Sequence, residues 1–394
     1  MATQTRDLLE KILKSPTAPF REDRVRAAIE SELDAHGIPY VRDAGGNLIA
    51  GTNRPESLSK GFHIALLAHM DHPGFHLGEP LGRGLWRCYW YGGAPFEAMK
   101  GARVRLHDPA QPQKTAIGTI RKMEYVDEME EGLPFIVDFG TKADGFSRES
   151  FGAFDLVPFR LKGDRVTSKA ADDLVGCVIA LGALIDQEKQ MKKSRNRGAR
   201  RLIGVFTRAE EVGFIGCLDL MRRGDLPRNV WCISLEASRA LPEAEFGKGP
   251  VLRIGDKTCL FDAEFSAVLW NIAKDLQLES KGAFRFQRRI LSGGTCEATP
   301  LTLFGHKVTA IAVPLLNYHN FGKTKPNAEA VSHSDVDQAR RLCAELGRRI
   351  EKAPVWTEAK KRELMSDFKR LQPMLTSTKI RIDSGLKSTN GAPR

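Results

Sequence analysis

Five short stretches of this 394-residue chain set metal-binding or acid–base side chains where apolar runs end. His69 and Asp71 close GFHIALLAHMD (61–71), and Glu210 and Glu211 follow the run at 202–206 in VFTRAEEVGFIGC. Glu236 lies in VWCISLEAS, Asp172 and Asp173 in SKAADDLVG, and His319 in VPLLNYHN. Imidazole and carboxylate together suit zinc and its neighbours. A hydrolytic site with two metals needs one shared carboxylate, further ligands for each ion, and a free carboxylate that takes a proton from water. Two adjacent acids at a strand end point in different directions, so one can bind metal while the other stays free. We expect Glu211 to be the ligand and Glu210 the general base.

Each of these residues also has a plainer role open to it. Asp172 or Asp173 could cap the helix that begins near Leu174. Glu243 and Glu245 lie close enough in sequence to compete with Glu236, and His333 competes with His319. SGGTCE (292–297) reads either as a glycine turn or as a substrate-facing loop. Cys296 is not needed as a nucleophile once two metals are present. His63, His72, His76, His107 and His306 read as structural or surface groups.

The elements that must position the site are those of an α/β core. Nearly continuous apolar runs at 61–71, 202–206, 230–235 and 308–313 predict strands buried on both faces of a sheet. Helical spacing marks 20–37, 174–190, 265–277 and 332–352, the last opening with Ser332 and Asp335 at capping-box spacing. Alternation of such strands with helices predicts an α/β domain. Ligands in such sheets gather outside the carboxyl ends of the strands, where the acids and histidines lie. Residues 73–160 break the pattern with Gly, Pro and short alternating runs, the texture of an inserted small β-barrel. We expect a discontinuous catalytic domain (1–72 and 161–358), the insertion, and a basic tail (359–394) that is weakly ordered from 371.

Composition narrows the function classes. No apolar run approaches the ~20 residues that cross a bilayer, and the first fifteen residues read as an amphipathic helix. Seven widely spaced cysteines without a CxxC pair suggest free, buried thiols in a reducing, cytoplasmic setting. The net charge of +11 is local. Residues 188–201 hold seven basic side chains and one acidic, and residues 359–394 hold nine and three. These segments carry the whole excess, so the charge does not define a nucleic-acid-binding face.

The order HMD, KxxDD, EEVG, an acid some 25 residues on and a late His after VP resembles the dinuclear metallo-aminopeptidases grouped with glutamyl, deblocking and tetrahedral aminopeptidases, some of which carry a cellulase label. The similarity runs over roughly residues 7–350 and takes in GGNLIAG, FGTKADGFSRESFGAFDLVPF and SGGT. The resemblance implies that His69 and His319 each bind one metal and that Asp172 bridges both. It also implies that Glu211 and Glu236 complete the shells, that Glu210 is the base, and that Asp71 orients the His69 imidazole. It implies two divalent ions, zinc with cobalt or manganese as substitutes, and an α/β/α metallopeptidase domain with a mixed sheet. The β insertion would serve assembly, giving a homo-oligomer between dimer and dodecamer. Four positions depart from the family pattern: His72 where an acid is usual, Leu174 for an arginine, Cys296-Glu297 for the Asp after GGT, and Glu236 where Asp is frequent.

The expected reaction is removal of N-terminal residues from short peptides. An N-acyl amino acid or small amide deacylase would use the same site. A catalytically silent scaffold that holds an anionic partner through the basic segments is a reading of another class. A glycosidase would need its two carboxylates but not the histidines.

Overall fold

A computed structural model describes residues 2–124, 132–193 and 200–377, which fall into two compact units divided at Arg349. The first unit opens with α1 (Ala2–Leu13) and α2 (Asp23–His36), followed by β1 (Tyr40–Arg42), β2 (Leu48–Ala50) and β3 (Ile64–His69). Gly37, at φ 68°, ends α2 by turning its N–H back onto the carbonyls of Leu33 and Asp34.

Six strands then close on themselves: β4 (Gly74–Gly82), β5 (Leu85–Tyr91), β6 (Arg103–His107), β7 (Thr115–Met123), β8 (Leu133–Asp138) and β9 (Phe151–Phe154). Their order round the barrel is β4-β5-β8-β7-β6-β9. Phe75, Trp90, Phe135 and Phe154 fill its interior, with Trp90 and Phe154 ring centroids 4.7 Å apart. The β-rich insertion read from the sequence is thus a closed antiparallel barrel with its own core.

The chain returns through β10 (Arg160–Lys162), β11 (Arg165–Ser168), α3 (Leu174–Lys193), β12 (Leu202–Thr207), α4 (Ile215–Arg223) and β13 (Trp231–Arg239). It continues with β14 (Val251–Arg253), α5 (Ala263–Glu279), β15 (Gln287–Arg289), α6 (Ala298–Leu303), β16 (Val308–Leu315), β17 (Glu329–Ser332) and α7 (His333–Arg349). The central mixed sheet has the order β1-β2-β12-β3-β13-β16-β14-β15, and β10, β11 and β17 form a small second sheet. Its middle strands β12, β3, β13 and β16 run parallel. Every residue of β3, β12 and β16 is buried, which is why these strands read as unbroken apolar runs. Helix α3, apolar almost all round, packs on β3, β12 and β13 and against α1. Leu220 of α4 and Leu301 of α6 share a core with Ala65, Leu67, Ile203 and Val205. The fold is the expected α/β domain.

Two local expectations change. Ser332 does cap α7, its Oγ accepting the Asp335 N–H at 3.1 Å, but the Asp335 carboxylate does not reach back to complete the box. It accepts instead from Gly247 at 2.8 Å and Gly249 at 2.7 Å, pinning a distant loop. The second unit contains α8 (Ala353–Ser377), so helix extends six residues beyond Leu371, where the sequence reads as weakly ordered. Good helix formers there outweigh Pro373. Residues 194–199 of the basic loop and 378–394 of the tail lie outside the described residues.

Candidate functional site

The parallel alignment of β12, β3 and β13 brings their carboxyl ends to one edge of the sheet. His69, the last residue of β3, is in register with Thr207, the last of β12, and Glu236 lies on β13. Beyond Thr207 the chain turns sharply at Ala209, whose φ of 51° is unusual for a residue with a Cβ. Three side chains hold that turn. Asn47 Oδ1 accepts the Arg208 N–H at 3.0 Å, and Glu22 accepts the Ala209 N–H at 3.1 Å and Arg208 Nε at 2.7 Å. Asp71 accepts the Glu210 N–H at 3.0 Å and the Glu211 N–H at 3.1 Å. The adjacent acids are therefore set by backbone bonds, and their carboxylates stay free for other work.

Asp172 and His319 arrive on loops tied to each other. Asp173 spends its side chain on the α3 cap, accepting the Gly176 N–H at 3.1 Å, which leaves Asp172 free of that task. Glu329 of β17 accepts from the N–H groups of Ala171 at 2.6 Å and Asp172 at 3.1 Å through one oxygen. Through the other it accepts the His319 N–H at 2.8 Å. Asn317, His319 and Asn320 all have positive φ, so this loop is held by its contacts.

Two donor sets share Asp172. His69, Asp172 and Glu236 form one, and Asp172, Glu211 and His319 the other, with the potential ligand atoms in each lying within 4.8 Å of one another. His69 Nε2 lies 3.7 Å from Asp172 Oδ1, and His319 Nε2 lies 3.7 Å from Asp172 Oδ2 and 3.2 Å from Glu211 Oε1. Glu210 lies outside the two sets that share Asp172 but forms a third with His69 and Glu211, its Oε2 3.8 Å from His69 Nε2. His69 Nδ1, on the ring edge opposite Nε2, lies 3.2 Å from the Asp71 backbone carbonyl and 3.4 Å from Asp71 Oδ1.

Crowding carboxylates out of water makes each resist ionisation. Burial, then Glu236, Glu211 and Asp71, push the Glu210 carboxyl well above its usual range against the pull of His69. Burial and Asp172 raise Glu236 to about 8. Burial disfavours charge on His69, but Glu210, Asp172 and Asp71 outweigh it and raise the imidazole well above 6.5. His319 rises to about 9 for the same reason, through Glu211 and Asp172. Asp172 Oδ1 and Glu211 Oε1 are buried oxygens that make no hydrogen bond. Unpartnered anionic oxygens beside imidazole nitrogens are the donor chemistry of a transition-metal or zinc site, so the residues fit divalent cations.

Residues 46–342 match the M42 glutamyl aminopeptidase family. The chain belongs to that family. It is therefore an enzyme that hydrolyses peptides. A candidate aminopeptidase of Acetivibrio thermocellus is 26% identical over 361 residues, covering 86% of this chain and 97% of that one. The TET aminopeptidase from the marine sediment archaeon Thaumarchaeota archaeon SCGC AB-539-E09 has the same fold, with TM-score 0.71 and 22% identity over 89% of this chain and 99% of its own. The TET1 peptidase of Pyrococcus horikoshii, which can assemble into a tetrahedron or a large octahedral shell, gives TM-score 0.68 and 21% identity over 87% and 99%.

In this M42 chain the carboxylate cluster opens into a cavity of about 470 Å³. Gly293, Gly294 and Thr295 line it, so the SGGT segment faces the cavity. Arg239, Arg253 and Tyr318 line it too, and the Tyr318 ring stacks on His319 with centroids 3.8 Å apart. Sequence reasoning passed over these three, and also Glu22 and Glu329. An acid inside an apolar strand, as in AEAVS, was the available signal for Glu329. Gly92 and Gly93 are further omissions, for a Cβ on Gly93 would stand 2.5 Å from His319 Nδ1 and one on Gly92 3.2 Å from the Glu211 Cβ. The segment after β5 thus closes one side of the site.

The competing residues fall elsewhere. Glu243 and Glu245 are exposed, whereas Glu236 is buried in the cluster. The His333 N–H donates to the Asp164 carbonyl at the start of α7. Burial raises the Cys296 thiol to about 12, a poor nucleophile. The departures have structural explanations in part. His72 is buried, with Nδ1 2.6 Å from the Asp172 carbonyl and Nε2 3.2 Å from Asn320 Oδ1, so it braces both loops. Leu174 is part of the core, and Glu297 is fully buried with neither carboxyl oxygen hydrogen-bonded, burial raising it to about 7.

Proposed function

We propose that this chain removes N-terminal residues from short peptides at a dinuclear metal centre. The observation that carries the reading is Asp172, one carboxylate common to two donor sets. His69 and Glu236 would complete one metal shell with it, and Glu211 and His319 the other. Two divalent ions, zinc by donor chemistry and cobalt or manganese as substitutes in vitro, would supply a water of lowered pKa and polarise the scissile carbonyl.

The residues of the chain would do the rest. Glu210, its backbone N–H held by Asp71 and its carboxylate outside the two sets that share Asp172, accepts a proton from the attacking water and delivers it to the leaving amine. Asp71 fixes the orientation of the His69 ring. The Gly293–Thr295 segment, Arg239 and Tyr318 bound the space for the substrate's first residues.

The barrel supports a homo-oligomer, since it is a complete, separately cored insertion and the TET1 neighbour assembles into closed shells. Mass photometry would give its size. Seven free cysteines, six of them buried, support a reducing, cytoplasmic setting, and among the described residues no helix is long and apolar enough to cross a membrane.

The test is mass spectrometry of mixed free and N-acetylated short peptides, incubated with the zinc- or cobalt-loaded protein beside Glu210→Gln. Stepwise loss of residues from free peptides alone, with turnover in the variant lower by about 10²- to 10⁴-fold, is the expected outcome. Removal of acetyl groups alone would replace the aminopeptidase with a deacylase.

A further inference from the structure

A second cavity, of about 190 Å³, lies apart from the carboxylate cluster, between the segment after α1 and the barrel. Its lining includes Lys14, Thr17, Arg105, His107 and Lys169. Arg105 and His107 belong to β6, and Lys169 is the lysine of the KxxDD motif, which the metal site does not use.

The ion pairs around this cavity leave one cation unanswered. Lys14 Nζ pairs with Glu10 at 2.6 Å and Arg105 with Asp155 at 2.7 Å. Lys169 Nζ donates to the Ser15 carbonyl at 2.6 Å, and no carboxylate among the described residues lies within ion-pair distance of it. Lys169 is half-buried, and an ammonium drawn inward without a counter-charge is disfavoured; burial alone lowers it to about 7. His107 Nδ1 is buried and makes no hydrogen bond. Burial, then the charges of Lys169, Arg24 and Arg105, keep that ring neutral, at about 3. A neutral imidazole can still present an N–H at Nδ1. The cavity thus gathers a lysine without a counter-anion and a ring nitrogen without a partner, with Arg105, shared with Asp155, beside them.

We propose that this cavity is a binding site for a small oxyanion, a phosphate or a carboxylate, held by the Lys169 ammonium together with Arg105 and the His107 ring. Charge-assisted bonds to the anion would offset the desolvation of Lys169. The site is joined to the catalytic segment through the chain: Lys169 stands three residues before Asp172, and its carbonyl accepts Asn320 Nδ2 at 3.0 Å.

The experiment is calorimetric titration of the metal-loaded full chain with inorganic phosphate and, separately, with acetate, in chloride-balanced buffer of constant ionic strength. Lys169→Met, which keeps the apolar stem, is titrated in parallel. We expect one site per chain with affinity lower by about tenfold or more in the variant. Arg105→Gln, on a partly exposed strand residue, should weaken the same site by a smaller factor and serves if Lys169→Met fails to fold. A response to phosphate alone identifies a phosphoryl-type ligand, and a response to acetate alone a carboxylate. Binding that is equal in wild type and variants places the ion elsewhere, at the metal centre for example, and overturns the proposal. So does the absence of binding by both ions.

Discussion

The Asp71 carboxylate accepts the backbone N–H of Glu210 through Oδ1 at 3.0 Å and that of Glu211 through Oδ2 at 3.1 Å. The same Oδ1 stands 3.4 Å from His69 Nδ1. One buried side chain therefore sets the proposed base, one proposed ligand and the ring of another. In Asp71→Asn, one acceptor becomes an amide N–H that faces a backbone N–H. We expect kcat/KM to fall by about 10- to 100-fold, with an unchanged circular dichroism spectrum. Unaltered kcat/KM in a folded variant would mean that the two backbone bonds do not matter to the reaction.

Gly93 approaches His319 so closely that a methyl group cannot be added without displacing the ring. Gly93→Ala should leave the barrel and sheet intact, because the residue is not in a left-handed conformation. A ligand moved by about 1 Å costs on the order of 10²-fold in rate. The measurement is kcat beside bound metal per chain, and we expect both to drop. Full metal content with wild-type kcat would show that His319 tolerates the shift or has no part in the centre.

Metal content separates the shared ligand from the unshared ones. Asp172→Asn should reduce binding of both ions, whereas Glu236→Gln should leave close to one per chain. Elemental mass spectrometry after dialysis reads this directly. Chelation of the wild type should abolish activity and lower Tm, since ligand at 100 times its Kd stabilises by about 2.7 kcal/mol. An Asp172→Asn protein that retains two ions would sink the bridging assignment.

The strands and the acids at their ends could be read because burial on both faces leaves an unbroken apolar run, and a polar break in it marks an edge. His69, Glu210, Glu211 and Glu236 were legible for that reason. His319 and Asp172 sit on loops, marked in sequence by a strand end and a helix start, and the family pattern supplied their roles. What sequence could not show is how those loops are held. Glu329 joins Asp172 to His319, residues 147 positions apart in sequence, through backbone N–H groups that have no sequence signature. The same is true of Glu22 at the Ala209 turn. The Asp335 carboxylate shows the opposite failure, where a local motif was present but a distant loop claimed the side chain.

The native state should also lose stability in acid, and His76 supplies a separable part of that loss. His76 Nε2 donates to the Pro19 carbonyl at 2.8 Å, its ring lies 4.5 Å from that of Tyr91, and burial, aided by the Arg21 charge, lowers its pKa from 6.5 to about 4. Between pH 4 and 6.5 the unfolded chain binds a proton at this position and the native chain does not. Stability therefore rises with pH across that window and is lost as pH falls through it. The shift bounds the effect at about 3 kcal/mol. His76→Gln keeps an N–H for Pro19 and cannot titrate, so its urea midpoint should decline less than that of wild type between pH 7 and pH 4.5. Other acid-sensitive groups act equally in both proteins, so the difference between the two curves isolates His76. Parallel declines would mean that the ring is already protonated, or unprotected, in the folded protein.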